Sequence, residues 1–243
     1  MTIQLIACGS RPWEYWAKYW GLSLLVGDDV LFDTFANDRV LSKNMKRFNV
    51  TPRQIQKVVI SHDHWDHTGG LEGLLERHKG LDVYLPHGAS EKTKEAVRAA
   101  GGNVIDGAGI KELGQDLYVS DELAFTYEGR PMAEQMLVHK SPKGLLLIIG
   151  CSHPGIASMI ERAKQDFGTS VYGVIGGFHL MNHSLKDVRA AAEELKAMGV
   201  QVVAPTHCTG WSAERVFKSV FGDNFVQVKE GKTVPLGLQL EGP

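Results

Sequence analysis

Apolar and polar positions alternate at the start of the chain and predict β-structure there. The alternation runs over residues 2–8, and apolar runs at 22–26 and 30–32 flank Gly27-Asp28-Asp29, a sequence typical of a hairpin turn. Apolar side chains then recur at helical spacing, at Val40, Leu41, Met45 and Phe48. The chain is therefore expected to open with strands and to continue into a helix that ends near Asn49.

Helices and strands alternate over the rest of the chain. A β-branched run at 58–60, after a short helix start at Thr51-Pro52, predicts a buried strand. The later predicted helices span 71–79, 91–100, 156–166, 185–198 and 212–221. The later predicted strands span 82–85, 145–149, 171–175, 200–204, 225–228 and 236–240, and the section 117–149 is expected to be mainly β. Without a Pro- or Ser-rich linker, the pattern favours a single domain over 1–243, with two sheets and flanking helices.

Composition narrows the class of protein. A chain of 243 residues with 43% hydrophobic and 22% charged side chains is typical of a globular protein with a large core. The net charge of -2 leaves no basic surplus, so nucleic acid is not an expected partner. No apolar run reaches the ~18 residues of a membrane helix, and Met1–Gly9 lacks the charged start of a signal peptide. A cytoplasmic protein without a membrane partner is expected.

A dense group of histidines follows the predicted strand 58–60. His62, His64, Asp66 and His67 lie within six residues. Residues two apart on an extended segment share a face, so His62 and His64 can converge on one ion, and a turn places the other two beside them. An exposed polar loop that happens to be rich in histidine is the alternative, but this density at a strand end favours a metal site.

The ligand types indicate two divalent ions. Imidazole suits zinc, iron, manganese or cobalt, and a carboxylate compensates positive charge. Four ligands so close together are better shared between two ions about 3.5–4 Å apart. Further ligands must then come from distant strand ends, and the histidines that follow predicted strands are His153, His179 and His207.

Three cysteines at wide spacings argue against a disulfide framework and leave free thiols or a metal contact. Cys151 follows the predicted strand 145–149, where a metal ligand and a small buried side chain are both open interpretations. For Cys208 we favour the interpretation as a small buried side chain.

These residues resemble a known family. His62, His64, Asp66 and His67 match the H-x-H-x-D-H motif of the metallo-β-lactamase superfamily, and the segment 31–34 resembles the strand that precedes its usual Asp. The segments at 150–155, 176–180 and 205–210 are similar to the branch of archaeal dihydropterin-ribofuranosylaminobenzene-phosphate synthase-like proteins. The resemblance covers nearly the whole chain.

The resemblance implies a four-layer αββα sandwich, with α+β and α/β features, and two divalent metal ions at one edge. It implies that one metal is held by His62, His64 and His153 and the other by Asp66, His67 and His207. Zinc is the first expectation, with manganese or iron as alternatives. The chain departs from the superfamily where Gly150-Cys151 replaces the usual Gly-Asp, so Cys151 becomes a candidate ligand in place of a carboxylate.

Several residues near the motif have candidate roles. Asp33, helped by Thr34, is expected to hydrogen-bond the second nitrogen of a metal-bound histidine. His179 is a candidate catalytic residue that contacts substrate, with a hydrogen-bonded core histidine as the alternative. Aromatic side chains crowd one short stretch, at Trp13, Tyr15, Trp16, Tyr19 and Trp20. Two interpretations of these side chains are open. They could form a helical stripe in the core or at a partner contact, or they could cover the metal cleft. The remaining histidines are expected at the surface: His78, His87, His139 and His183.

The predicted function is hydrolysis of a small-molecule ester, lactone or phosphodiester by a metal-bound hydroxide. Asp66 is expected to serve first as a ligand and second as a proton acceptor. A pterin-linked transferase, as the resemblance suggests, is the competing hypothesis among enzymes. Two further hypotheses are an iron-dependent redox or sensor protein and a metal-occupied protein without turnover. A homodimer is compatible with the sequence.

Overall fold

Two six-stranded sheets form the centre of the molecule. The structure is a computed structural model, and it describes residues 1–16 and 19–235. The first sheet contains, in spatial order, β1 (Ile3–Gly9), β2 (Gly21–Val26), β3 (Val30–Phe32), β4 (Lys57–Val59), β5 (Asp82–Tyr84) and β6 (Asn103–Ile105). Strands β1 to β3 pair antiparallel, and β3 to β6 pair parallel.

The second sheet reverses the order of the chain. It contains, in spatial order, β14 (Val202–Thr206), β13 (Val171–Gly177), β12 (Gly144–Ile149), β11 (Leu137–Ser141), β8 (Leu117–Val119) and β7 (Lys111–Gly114). Strands β12, β13 and β14 are parallel, so their carboxyl ends meet at one edge. Strands β9 (Leu123–Tyr127) and β10 (Arg130–Glu134) form a separate hairpin. Its two turn residues, Glu128 and Gly129, both have the positive φ that a type I′ turn requires.

Helices occupy the connections between strands. They are α1 (Pro12–Trp16), α2 (Asp38–Arg47), α3 (Trp65–Thr68), α4 (Leu71–Arg77), α5 (Glu91–Ala99), α6 (Ile156–Phe167), α7 (Leu185–Ala197) and α8 (Trp211–Phe221). Short 3-10 turns lie at Pro52–Gln54, His207–Thr209 and Gly222–Asn224. Asn37, Ser90 and Ser184 cap helices by accepting a hydrogen bond from a backbone N–H. Among the described residues, none of these helices combines the length and the apolar character needed to cross a bilayer.

Three apolar layers separate the sheets and helices. Phe32 and Ile148 belong to the layer between the two sheets. Their neighbours along each strand point the other way: Leu31 packs with side chains of α2, α4 and α5, and Leu147 packs with those of α6, α7 and α8. Alternate side chains of a strand face opposite sides, so each sheet is covered on both faces. The predicted αββα sandwich is therefore confirmed.

Most predicted elements are confirmed within a few residues of their expected bounds, but the predicted strand at 225–228 is wrong. Phe225 forms only an isolated bridge with Val203. The backbone N–H of Val226 bonds the carbonyl of Val203, whereas that of Gly231 bonds the carbonyl of Leu5. This segment therefore crosses from one sheet edge to the other and does not pair with either for long. The predicted strand at 236–240 lies outside the described residues.

The aromatic stretch is not a helical stripe over its length. Helix α1 includes Trp13 and Tyr15 but ends at Trp16, and Tyr19 and Trp20 are not helical. Trp13 and Tyr15 are exposed, whereas Trp20, which directly precedes β2, is buried. The predicted short helix after Thr51 is a 3-10 turn, and the Thr51 side chain makes no capping hydrogen bond.

Candidate metal centre

The candidate site lies where parallel strands of both sheets end. His62 and its neighbours follow β4 of the first sheet. Cys151 and His153 follow β12, and His207 and Cys208 follow β14, in the second sheet. Side chains that are far apart in the sequence therefore meet at a shared edge, as expected for a site at the carboxyl ends of strands.

The two predicted ligand sets are brought together. The nearest ligand atoms of His62, His64 and His153 all lie within 4.8 Å of one another, and the same holds for Asp66, His67 and His207. Cys151 lies within that distance of His62 and His67, so it sits between the two sets. All seven residues expected to bind metal thus lie in one cluster.

The buried carboxylate of Asp33 fixes the orientation of His67. Its Oδ2 lies 2.6 Å from His67 Nδ1 and accepts a hydrogen bond from the Ser61 hydroxyl at 2.8 Å. Its Oδ1 accepts from the Ser61 backbone N–H at 2.7 Å. Thr34 donates its hydroxyl to the His67 carbonyl at 2.8 Å. The contact predicted for Asp33 is confirmed, and it leaves Nε2 of His67 facing the cluster.

Two more imidazoles are oriented through their Nδ1 atoms. His207 Nδ1 lies 2.9 Å from the carbonyl oxygen of Gly9, which can only accept, so this nitrogen carries the proton. His62 Nδ1 lies 2.9 Å from the Ser61 hydroxyl, whose own proton is directed to Asp33. In both rings the lone pair is therefore on Nε2, which faces the cluster.

The donor set fits divalent cations. Among the residues that the structure describes, Nε2 of His153 and Nε2 of His207 are buried without a hydrogen-bond partner. Such buried polar atoms are rare and call for an explanation. Burial, reinforced by the neighbouring imidazoles, holds the pKa of His62 well below its usual range and lowers that of His153 to about 2. Several neutral nitrogens thus point into one region, and a bound cation would satisfy the orphaned lone pairs.

Negative charge is concentrated on the Asp66 side of the cluster. Burial alone would raise the pKa of Asp66, but His67 and His207 hold it well below its ordinary value. Oδ2 of Asp66 lies 3.6 Å from His67 Nε2 and 3.3 Å from His207 Nε2. Burial also acts to lower the pKa of His67, yet Asp33 and Asp66 raise it to about 9. This side of the cluster therefore attracts a cation or, in its place, a proton.

His179 lies at the edge of the cluster and is exposed. Its ring centre is 4.3 Å from that of His153. A hydrogen bond with Cys208 raises its pKa. The structure therefore places this imidazole beside the candidate ligands, at a position open to the cavity, and the hypothesis of a buried core histidine is wrong.

Glu134 is a buried residue that sequence reasoning missed. Its Oε1 accepts hydrogen bonds from the backbone N–H groups of Cys151 and Ser152 at 2.8 and 2.9 Å. Its Oε2 accepts from the N–H of His153 at 2.8 Å. Burial raises its pKa to about 7 in spite of these three donors. One carboxylate therefore fixes the loop that carries two candidate ligands, and no local motif signalled it.

Left-handed backbone is concentrated at the site. Asp33, Ser152, His179 and His207 all have φ between 52 and 61°. This conformation is uncommon for residues with a side chain, and it recurs at functional sites, where the surrounding structure holds it. Here it turns the chain sharply just after the four strands β3, β12, β13 and β14.

A cavity of about 1070 Å³ opens over the cluster, and aromatic side chains form part of its wall. Tyr15 and Trp20 line it, which supports the prediction of a cover over the cleft. Two side chains of the β9–β10 hairpin contact the cluster. Phe125 stacks on His153 with 5.0 Å between the ring centres, and Tyr127 makes an edge contact with His64 with 4.7 Å between the ring centres. The sequence predicted strands in this region but not their place over the site.

The histidines expected at the surface lie outside the ligand sets. Nδ1 of His78 and Nδ1 of His139 contact backbone carbonyl oxygens, and both side chains are half-buried. His87 and His183 are exposed, although His183 also lines the cavity. The surface prediction is therefore accurate for these two and only partly so for the half-buried pair.

Comparison with known proteins agrees with this fold. The model of the metallo-beta-lactamase superfamily matches residues 25–207, and the chain belongs to that superfamily. A 7,8-dihydropterin-6-methyl-4-(beta-D-ribofuranosyl)-aminobenzene-5'-phosphate synthase of Methanocaldococcus jannaschii is 30% identical over 90% of each chain. The resemblance to this branch is therefore confirmed.

Solved structures show the same architecture. A metal-dependent hydrolase of the beta-lactamase superfamily superposes with a TM-score of 0.75 and 26% identity, over 96% of this chain and 98% of that one. The short form of human tRNase Z superposes with a TM-score of 0.64 at 13% identity, over 97% and 99% of the two chains. The second likeness shows the fold alone.

Proposed function

We propose that the protein is a metal-dependent enzyme that hydrolyses a small molecule, with an ester, lactone or phosphodiester as its substrate class. The observation that carries this proposal is the pair of ligand sets beside a large cavity. The likeness to a metal-dependent hydrolase at 26% identity supports it. Imidazole, thiol and carboxylate donors favour zinc as the ion, with iron or manganese as alternatives.

Each of the two ligand sets would bind one cation. His62, His64 and His153 would hold one cation, and Asp66, His67 and His207 would hold the other. Divalent ions bound there supply Lewis-acid chemistry and activate water near neutral pH. Asp33 and Glu134 hold the ligand-bearing segments in place through the hydrogen bonds described above.

The other side chains that line the cavity would contact the substrate and accept or donate protons. Asp66, which is ionised beside His67 and His207, would serve first as a ligand and second as a proton acceptor. His179 faces the cavity, and its raised pKa makes it a proton donor for the leaving group. Tyr15 and Tyr127 limit access of bulk water and offer flat apolar contacts to a substrate.

The proposal is tested by measuring turnover on a panel of esters, lactones and phosphodiesters. The protein is assayed as purified, after treatment with a chelator, and after zinc is restored. We expect His64→Ala to lower turnover more than about a hundredfold, because loss of a ligand exceeds the usual cost of losing a residue that supports one.

His78→Ala is the matched control, since His78 contacts the Pro52 carbonyl and lies outside both ligand sets. Full turnover in both chelated protein and His64→Ala would refute the proposal. Inactivity of the zinc-loaded protein on the whole panel would favour a binding protein without turnover.

A second candidate function is a pterin-linked transferase. It is favoured by the relative that is 30% identical over 90% of each chain and is named as a dihydropterin-aminobenzene-phosphate synthase. The aromatic wall of the cavity suits a flat pterin ring. The test is release of diphosphate when a hydroxymethylpterin diphosphate and an aminobenzene acceptor are added together. Release that depends on both compounds would establish the transferase in place of the hydrolase.

A further inference from the structure

Two buried thiols meet beside the histidine cluster. Cys151 follows β12 and Cys208 follows β14, and these strands flank β13 in the parallel part of the second sheet. Gly177, at the end of β13, leaves the space for them. A Cβ at that position would lie 2.5 Å from Cys208 Sγ and 3.3 Å from the Cys151 Cα. The two sulfur atoms can therefore approach each other across the intervening strand.

The thiols face nitrogen donors as well as apolar neighbours. Trp20 and Met181 pack against them, as they would against any small buried side chain. However, the ligand atoms of Cys151, Cys208 and His207 all lie within 4.8 Å of one another. Cys151 Sγ is also 3.3 Å from His67 Nε2.

The imidazole in this group has an unused lone pair. His207 is fully buried, and its Nδ1 is engaged with the Gly9 carbonyl. In the described part of the chain its Nε2 has no hydrogen-bond partner, and the Asp66 Oδ2 atom lies 3.3 Å from it. Two sulfurs and an open nitrogen lone pair therefore converge, with a carboxylate beside them, and this arrangement is unlike a purely apolar packing of cysteines.

We propose that Cys151, Cys208 and His207 form a thiolate-bearing position for a thiophilic divalent cation such as Zn²⁺, Fe²⁺ or Co²⁺. The inference rests on the metal-dependent function proposed above and adds Cys151 and Cys208 to the ligands of the ion that Asp66, His67 and His207 would hold. Each thiol forms a sulfur–metal bond and loses its S–H proton to solvent on binding. The thiolates supply the negative charge that the superfamily's Gly-Asp carboxylate would otherwise provide.

The proposal predicts metal selectivity. Thiolate and imidazole donors suit zinc, iron and cobalt, whereas magnesium and calcium prefer oxygen donors. A second consequence concerns the cysteines: Cys151 and Cys208 are protected from thiol reagents when the position is filled. Cys8 lies outside the group, with its Sγ 3.1 Å from Thr206 Oγ1, and serves as an internal reference.

The experiment is cobalt substitution of the full chain, followed by absorption spectroscopy. Cobalt bound to thiolate gives a near-ultraviolet charge-transfer band in addition to the weak visible bands of any cobalt site. We expect this band in the parent protein, full intensity in Cys8→Ser, and about half the intensity in Cys208→Ser and in Cys151→Ser. Because a serine variant can fail to fold, ¹¹³Cd NMR of the parent protein provides a second measurement, in which thiolate ligation moves the cadmium resonance far downfield.

The outcomes separate this inference from the proposed function. Visible cobalt bands without the charge-transfer band, or a cadmium resonance at the position typical of nitrogen and oxygen ligands, would overturn the thiolate position and leave the metal centre standing. An undiminished band in folded Cys208→Ser would also overturn it, since Cys208 would then not be a ligand. Failure of the parent protein to bind cobalt or cadmium at all would overturn the proposed function and this inference with it.

Discussion

Asp33→Asn is expected to weaken metal binding while preserving the backbone. Asp33 has φ of 57°, a conformation that Asn tolerates better than most residues. One amide oxygen can still accept from the Ser61 N–H. The amide NH₂ then faces His67 Nδ1, where the carboxylate accepts at 2.6 Å. His67 must shift its proton to Nε2, the nitrogen that faces the cluster.

The size of this effect follows from the bonds that change. A residue that supports a ligand typically contributes 10- to 100-fold in metal affinity, which is about 1.4 to 2.8 kcal/mol. Two buried hydrogen bonds to a charged acceptor are lost as well, so we expect the free energy of unfolding to fall by about 2–3 kcal/mol. At this chain length, each 1 kcal/mol corresponds to a fall of about 2–4 °C in Tm.

Zinc affinity is measured by competition with a chromophoric chelator at fixed pH, and Tm by circular dichroism on metal-free protein. Asp38→Asn is the matched control, because Asp38 pairs with Arg77 and takes no part in the cluster. It should lower Tm without changing zinc affinity. Zinc affinity of Asp33→Asn equal to that of the parent protein would show that Asp33 does not position His67 for ligation.

Three further changes test separate parts of the structure. Glu134→Gln replaces the oxygen that accepts from the His153 N–H by an amide donor, so we expect about tenfold weaker zinc binding in the same competition assay, and unchanged affinity would contradict its positioning role. Burial raises the pKa of Glu214 from 4.5 to about 7, so ionisation destabilises the fold as pH rises through that window. Glu214→Gln should therefore gain up to ~3 kcal/mol relative to the parent protein between pH 4 and pH 8 in urea unfolding, and a difference independent of pH would refute this. Gly177→Ala places a Cβ 2.4 Å from the Gly150 carbonyl oxygen and should lower the free energy of unfolding by about 1–3 kcal/mol, whereas an unchanged Tm would mean that the strand edge has room to move.

Local patterns were sufficient for the layers and for one half of the site. The β-branched run before Ser61 and the close spacing of His62 to His67 both depend on neighbouring residues, so the strand and its ligand loop were predictable. The histidines at 153 and 207 could be proposed because each follows an apolar strand, and the resemblance then paired them with the first set.

The residues that were missed act over long distances in the sequence. Glu134 and Cys151 are joined through a backbone hydrogen bond between different strands, and nothing in either segment announces it. The convergence of Cys208 with Cys151 depends on how β12 and β14 flank a glycine, which is a property of the folded sheet. The segment near Phe225 was predicted as a strand from its apolar residues, but competition between two sheet edges decided its structure.

The ligand sets are divided between the two halves of the sandwich, and this affects how the protein unfolds. The segment up to residue 106 contributes His62, His64, Asp66 and His67, whereas the later segment contributes Cys151, His153 and His207. A cation bound by residues of both halves therefore opposes their separation. At a free concentration a thousandfold above its Kd, it adds about 4 kcal/mol to the free energy of unfolding. Removal of the metal by a chelator should then weaken the contact between the two sheets before either sheet unfolds. Backbone amides at that contact should therefore lose protection from hydrogen exchange first.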